Sequence, residues 1–159
     1  MVGTELDQLK LEIAHYLGLP YWKNVIKDGK VVKEGILGGK GSSKEIALKT
    51  IEIANTEGID ILKLNNRQFH NFQKKHHIGI DCSGLAYNLL DFYYQLLHQD
   101  SVFECLMGVK DANGNHQKGV RKVNADMLTS SINAFKIDNY DDIKTADLIR
   151  MDNGTHVIF

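Results

Sequence analysis

The stretch IDCSGLAYNLLDFYYQLLH, residues 80–98, decides how this chain folds. Its large apolar residues recur at steps of three and four, which predicts a long helix from Cys82 to about His98 with one side in the core. These residues are Leu85, Leu89, Phe92, Tyr93 and Leu96. Cys82 then falls in the first turn, where unpaired amides and the positive end of the helix favour the thiolate, the nucleophilic form of cysteine.

Cys82 has a second interpretation, because a free cysteine most often packs as a small hydrophobe. Its neighbours Asp81, Ser83 and Gly84 are polar or small, however, whereas a core position is surrounded by apolar groups at helical spacing. Gly84 in a first turn costs helix stability, and close approach of a substrate backbone would explain it. The sequence therefore favours a nucleophile.

A histidine far downstream is the best candidate for the base that would serve this thiol. Asp152-Asn-Gly-Thr155 predicts a tight turn between a strand at residues 146–151 and a return strand that starts at His156. Of seven histidines, this one alone follows a tight turn onto an apolar strand, which is the rigid mounting a general base requires.

The remaining segments predict mostly helices before residue 100. A helix starting at Thr4 and another from Ser42 to about Glu57 both have capping-box sequences. Further expected elements are a short helix at 66–75, a turn at 27–30 between extended pieces, a loop at 111–115 and a helix capped by Asn124 that continues to about 133.

Two other kinds of site are weaker interpretations of the same region. Residues 38–43 read GGKGSS, but the Walker pattern needs a different glycine spacing and a Ser or Thr directly after its lysine, so a flexible loop is favoured. A zinc site of His76 or His77 with Asp81 and Cys82 lacks a second ligand pair at finger-like spacing. We expect no metal and no cofactor, and we interpret Cys105 as structural.

Composition limits the classes of protein to consider. The chain has 159 residues, 43% of them hydrophobic, which suits one globular domain. Its 19 Lys and Arg balance 20 Asp and Glu, so we expect no binding to nucleic acid or to an anionic membrane. No apolar run is long enough to span a bilayer, and the first residues lack a secretory signal. We expect a monomer with two free thiols.

The motif Asp81-Cys82-Ser83-Gly84-Leu85, with the segments 146–149 and 156–159, resembles the NlpC-type cysteine peptidases, papain-like enzymes that cut bacterial cell-wall peptides. The resemblance implies an α+β, papain-like fold over residues 1–159, with a helical N-terminal half and the nucleophile at a helix N-terminus packed on a small antiparallel sheet. It implies Cys82 as nucleophile and His156 as base.

The same resemblance assigns Tyr21 to the substrate cleft, together with Asp81, Ser83 and Gly84. Family members place their tyrosine and a following pair of glycines closer to the cysteine, so Gly38-Gly39 are interpreted as the displaced pair and residues 42–76 as a helical insertion. Ala146 replaces the usual glycine. The family's third polar residue lies on a later strand, and this chain stops three residues beyond His156. We therefore expect a C-terminally incomplete domain.

The predicted function is a peptidase or amidohydrolase whose partner is a peptide substrate, namely a cell-wall stem peptide, and whose target is the bond between D-glutamate and a diamino acid. Two alternatives stay open: a catalytically silent module of the same fold that binds peptides or glycans, and an intracellular thiol-dependent amidase or acyltransferase. A wall substrate places the protein outside the cell or in its envelope, and the alternatives include the cytoplasm.

Overall fold

The computed structural model describes residues 4–28, 30–109 and 119–159. It has an α+β architecture, as the sequence predicts, and its strands pair as two separate antiparallel hairpins, β1 with β2 and β3 with β4. The helices are α1 (Glu5–Tyr16), α2 (Ser43–Glu57), α3 (Asn66–Lys75), α4 (Cys82–His98) and α5 (Ala125–Leu128). The strands are β1 (Val25–Lys27), β2 (Lys30–Lys33), β3 (Ile149–Met151) and β4 (His156–Ile158).

Local sequence signals set the ends of the first three helices. The side chains of Thr4, Ser42 and Asn65 each accept a hydrogen bond from the third amide of the following helix, and the third side chain reaches back to the cap. Each such cap is worth about 1 kcal/mol. Gly58 ends α2 with a φ of 67°, a conformation that glycine adopts without steric cost. The predicted bounds of α2, α3 and α4 are confirmed.

Helix α4 lies between two clusters of buried side chains, which the apolar stripe did not predict. The α1 cluster comprises Leu9, Tyr16, Ile46, Ala54, Phe72, Ile78, Ile80 and Leu89. The α5 cluster comprises Ala86, Tyr87, Val102, Phe103, Leu106, Val109, Val120, Val123, Ala125, Leu128 and Val157. Only the first face carries the large apolar stripe. The second face buries Ala86 and Tyr87, with Leu90 and Tyr94 packed beside them, so the prediction of a single core side was wrong.

The β3-β4 hairpin carries the predicted base. Met151 pairs with His156 at the end of the ladder, and residues 152–155 form the connection. Asp152, Asn153 and Gly154 have φ values of 50°, 55° and 90°, so the turn uses the left-handed conformations that its sequence predicts. The return strand β4 packs against α4.

Three predicted elements differ in extent. The helix capped by Asn124 covers only Ala125–Leu128 and continues as turns, because Ser130 and Asn133 bind nearby backbone carbonyls. The strand expected from residue 146 begins at Ile149, since Ala146 has a φ of 74° that no strand accommodates. The loop predicted at 111–115 lies outside the described residues.

Candidate active site

An extended segment beside α4 brings Tyr21 close to the start of that helix. Tyr21 forms a parallel bridge with Ile80. The Ile80 amide donates to the Pro20 carbonyl at 3.1 Å, and the Trp22 amide donates to the Ile80 carbonyl at 3.0 Å. This pairing places Tyr21 next to the entry into α4, although about 60 residues separate it from Cys82 in sequence.

Cys82 occupies the first position of α4, as predicted, and is half-buried. Asp81 is the N-cap, and its carboxylate accepts from the Gly84 amide at 2.6 Å. Within the described residues the Cys82 amide donates to no protein acceptor, so a donor remains at the positive end of a 17-residue helix. A negative charge at this position, on sulfur or on a bound oxygen, is stabilised by the helix.

The Tyr21 side chain lies near Cys82 and Asp81, although among the described residues no hydrogen bond joins its hydroxyl to the sulfur. Partial burial raises the pKa of Tyr21, and the negative charges of a Cys82 thiolate and of Asp81 raise it further. The hydroxyl therefore stays protonated over the physiological range. The structure thus brings together two of the predicted site residues.

A buried lysine supports the start of α4, and sequence reasoning missed its role. Lys40 is 4% exposed, and its Nζ donates to both carboxylate oxygens of Asp81, at 2.5 Å for Oδ1. It also donates to Ser83 Oγ at 2.6 Å. With these partners, the Lys40 amine is engaged inside the protein, which does not fit a phosphate loop. In the sequence, the only indication of this role is a lysine among glycines, and that pattern has several interpretations.

The loop at residues 38–41 is held against α4. The Asp81 amide donates to the Gly39 carbonyl at 3.0 Å, and Asn88 Nδ2 donates to the Lys40 carbonyl at 3.1 Å. A methyl group added at Gly84 would collide with the Gly39 carbonyl oxygen. The space beside Gly84 is therefore filled by the protein's own backbone, and the flexible loop predicted here is fixed by hydrogen bonds.

His156 opens β4 and is half-buried. The next residue, Val157, is buried in the α5 cluster, against which Cys82 also packs. Because successive side chains of a strand point to opposite faces, the His156 imidazole lies on the other face of β4 from Val157. In the part of the chain that the structure describes, no hydrogen bond joins its imidazole to the Cys82 sulfur.

Histidines close to Cys82 in sequence have other roles. The His77 ring stacks on Trp22 with centroids 4.8 Å apart, and His76 Nε2 lies 3.3 Å from a Glu57 carboxylate oxygen. Among the residues described, no three His, Cys, Asp or Glu side chains are grouped so that they could hold a metal ion. The zinc interpretation therefore gains no support.

The second thiol contrasts with the first. Cys105 is exposed and follows a short 3₁₀ helix, Val102–Glu104, and its sulfur lies 3.2 Å from the Tyr94 hydroxyl. Its interpretation as a structural residue does not fit this exposure. Both cysteines are free, as predicted.

Comparisons with known proteins give no family. No family model, curated protein or solved structure matches the chain. Within the described residues, no helix combines the length and the apolar character needed to cross a membrane.

Proposed function

We propose that this chain is a papain-like cysteine peptidase or amidohydrolase that acts through Cys82. The observation that carries the proposal is the half-buried thiol in the first turn of α4. A helix N-terminus favours the thiolate over the thiol. The sequence motif supplies the resemblance to NlpC-type peptidases, and the geometry around Cys82 agrees with it.

The chemistry is acyl transfer. The Cys82 thiolate attacks the amide carbonyl carbon, and the carbonyl oxygen becomes an oxyanion that the Cys82 amide would help to bind. His156 then gives its proton to the leaving amine as the carbon–nitrogen bond breaks, which leaves a thioester on Cys82. Water, deprotonated by His156, hydrolyses the thioester and regenerates the thiolate.

The substrate class follows from the family resemblance. It is a cell-wall stem peptide, cut between D-glutamate and a diamino acid. Tyr21 lies near Cys82 and would border such a peptide. Asp81 and Ser83 act behind the nucleophile, because both side chains are engaged by the buried Lys40 amine.

Alkylation tests the nucleophile. At mildly acidic pH, iodoacetamide should modify Cys82 at least about tenfold faster than Cys105, because thiolate is the reactive form. Mass spectrometry of the two cysteine peptides measures both rates in one sample, and Cys105 serves as the internal control. His156→Ala should slow Cys82 alkylation at neutral pH and leave Cys105 unchanged. Equal, slow rates at both thiols would contradict the assignment of Cys82 as the nucleophile.

Hydrolysis tests the reaction. Purified wall stem peptides should be cleaved by the unaltered chain, and Cys82→Ser should lower the rate by on the order of 10³-fold or more, whereas Cys105→Ser should not change it. A fast Cys82 alkylation without cleavage would favour the intracellular amidase or acyltransferase. Peptide binding without either reaction would favour the silent module.

A further inference from the structure

The N-cap of α4 carries a negative charge directly beside the proposed nucleophile. Asp81 precedes Cys82 in the chain, and its Oδ1 accepts from the Gly84 amide at 2.6 Å and from the Ser83 hydroxyl at 3.1 Å. Aspartate is among the best N-cap residues. Its charge, however, repels a thiolate on the next residue, and like charges this close shift an ionisation equilibrium by on the order of tenfold. The cap that fixes the start of α4 therefore works against the reactive form of the cysteine.

Lys40 supplies the opposite charge from inside the protein. Its side chain is buried, and its Nζ donates to both carboxylate oxygens of Asp81 and to Ser83 Oγ. These three acceptors match the three N–H donors of an ammonium group. The two residues that it binds flank Cys82 in the chain, so the positive charge lies at the same turn of α4 as the thiol.

Other ionisable groups lie on the elements around this turn. Burial and nearby negative charge raise the pKa of Tyr21, so its hydroxyl carries no charge. Asp126 on α5 is paired with Arg150. His156 opens β4 and adds a positive charge only in its protonated form. In the part of the chain that the structure describes, the ion pair with Lys40 is the one that offsets the Asp81 charge.

We propose that Lys40 is a positioning residue for the nucleophile, which holds the Asp81 cap in place and neutralises its charge, so that the positive end of α4 favours the thiolate of Cys82. The inference rests on the function proposed above, because it concerns the same thiol. Its readout is the pH profile of alkylation, which can be measured whether or not the chain cleaves a peptide. A failure to cleave wall peptides would therefore count against the proposed function alone.

Removal of the lysine charge tests the inference. The rate of Cys82 alkylation by iodoacetamide rises with pH as the thiol ionises. In Lys40→Met the Asp81 charge is no longer offset, so the midpoint of this profile should move to higher pH, and the rate at pH 6 should fall about three- to tenfold. Cys105 is measured in the same sample as the internal control. An unchanged midpoint in a folded Lys40→Met variant would overturn the inference.

Removal of the aspartate charge separates electrostatics from structural support. Asparagine caps helices as well as aspartate, so Asp81→Asn should keep the fold. Without the negative charge, the midpoint should move to lower pH, and the rate at pH 6 should rise about three- to tenfold. A purely structural role predicts the opposite direction, because this variant also loses the ion pair with Lys40. A midpoint that stays or moves to higher pH would refute the inference, also if Lys40→Met fails to fold.

Two further variants complete the set. Lys40→Met combined with Asp81→Asn removes both charges, so the midpoint should return towards that of the unaltered chain. Lys44→Met removes an exposed lysine near Lys40 in sequence and should leave the midpoint in place. If Lys44→Met moved the midpoint as far as Lys40→Met does, general surface charge and not the buried lysine would set the profile, and the inference would be wrong.

Discussion

The two halves of the proposed catalytic pair are mounted very differently. Cys82 stands on a helix start that the buried Lys40, the Asp81 cap and the Gly39 backbone hold from several directions. His156 stands on a three-residue strand whose partner, β3, is exposed along its whole length. The nucleophile is therefore preorganised by several buried tertiary contacts, whereas the base depends on one short hairpin that Val157 anchors in the core and that Arg150 ties to Asp126 and Thr129 at the surface.

The largest expected difference is in the stability lost when one charged side chain is removed, either at the start of α4 or on the β3-β4 hairpin. Lys40→Met leaves the Asp81 carboxylate without its buried partner, so we expect the free energy of unfolding to fall by about 3 kcal/mol. On the hairpin side, Arg150→Met removes an exposed ion pair with Asp126 and hydrogen bonds to Thr129 Oγ1 and to the Asn153 carbonyl, and should cost about 1 kcal/mol. Urea denaturation followed by circular dichroism measures both.

Two controls sharpen that result. Lys44→Met removes an exposed lysine near Lys40 in sequence and should change stability by less than about 0.5 kcal/mol. Adding Asp81→Asn to Lys40→Met should recover part of the loss, because the unpaired charge is gone. If Lys40→Met and Arg150→Met cost the same, the two mounts are equally strong and the comparison fails.

The tyrosine beside the nucleophile should have a smaller effect. Tyr21→Phe removes a hydroxyl near Cys82, so iodoacetamide should react with Cys82 up to about threefold more slowly at pH 6. The fold should be unaffected, because Tyr21 is 59% exposed.

Tyr94→Phe is the matched control for Tyr21→Phe. Its hydroxyl lies beside Cys105, and that contact is the main cause of the raised pKa of Tyr94. Cys105 lies at no helix N-terminus, so its slow alkylation should change less than that of Cys82. Equal effects at both thiols would mean that the tyrosine, and not the position on α4, decides the reactivity.

The smallest expected change in stability comes from the segment just before β3. Ala146 has a φ of 74°, where an L side chain is strained, so Ala146→Gly should raise the free energy of unfolding by about 0.5–1 kcal/mol. The reverse is expected in a helix, where Ala14→Gly in α1 should lower it by up to about 1 kcal/mol. A loss of stability in Ala146→Gly would argue against the strain.

The sequence predicted those features that depend on neighbours along the chain. Capping residues and apolar spacing located α2, α3 and α4, and the run of turn residues at 152–155 located the hairpin. The helix predicted after Asn124 is longer than the observed one, because Ser130 and Asn133 compete for backbone groups that a helix would use. The second buried face of α4 was missed, since its contacts come from segments up to 70 residues away.

By itself, the sequence determined that a cysteine begins a long helix and that a histidine begins a late strand, because capping, periodicity and turn chemistry are local properties. Only the tertiary structure decided what surrounds them. Lys40 is an ordinary polar residue in the sequence, and it becomes the buried support of Asp81 once the 38–41 loop packs on α4. Tyr21 comes near Cys82 because its backbone pairs with Ile80, and such pairing between distant segments depends on the folded chain as a whole.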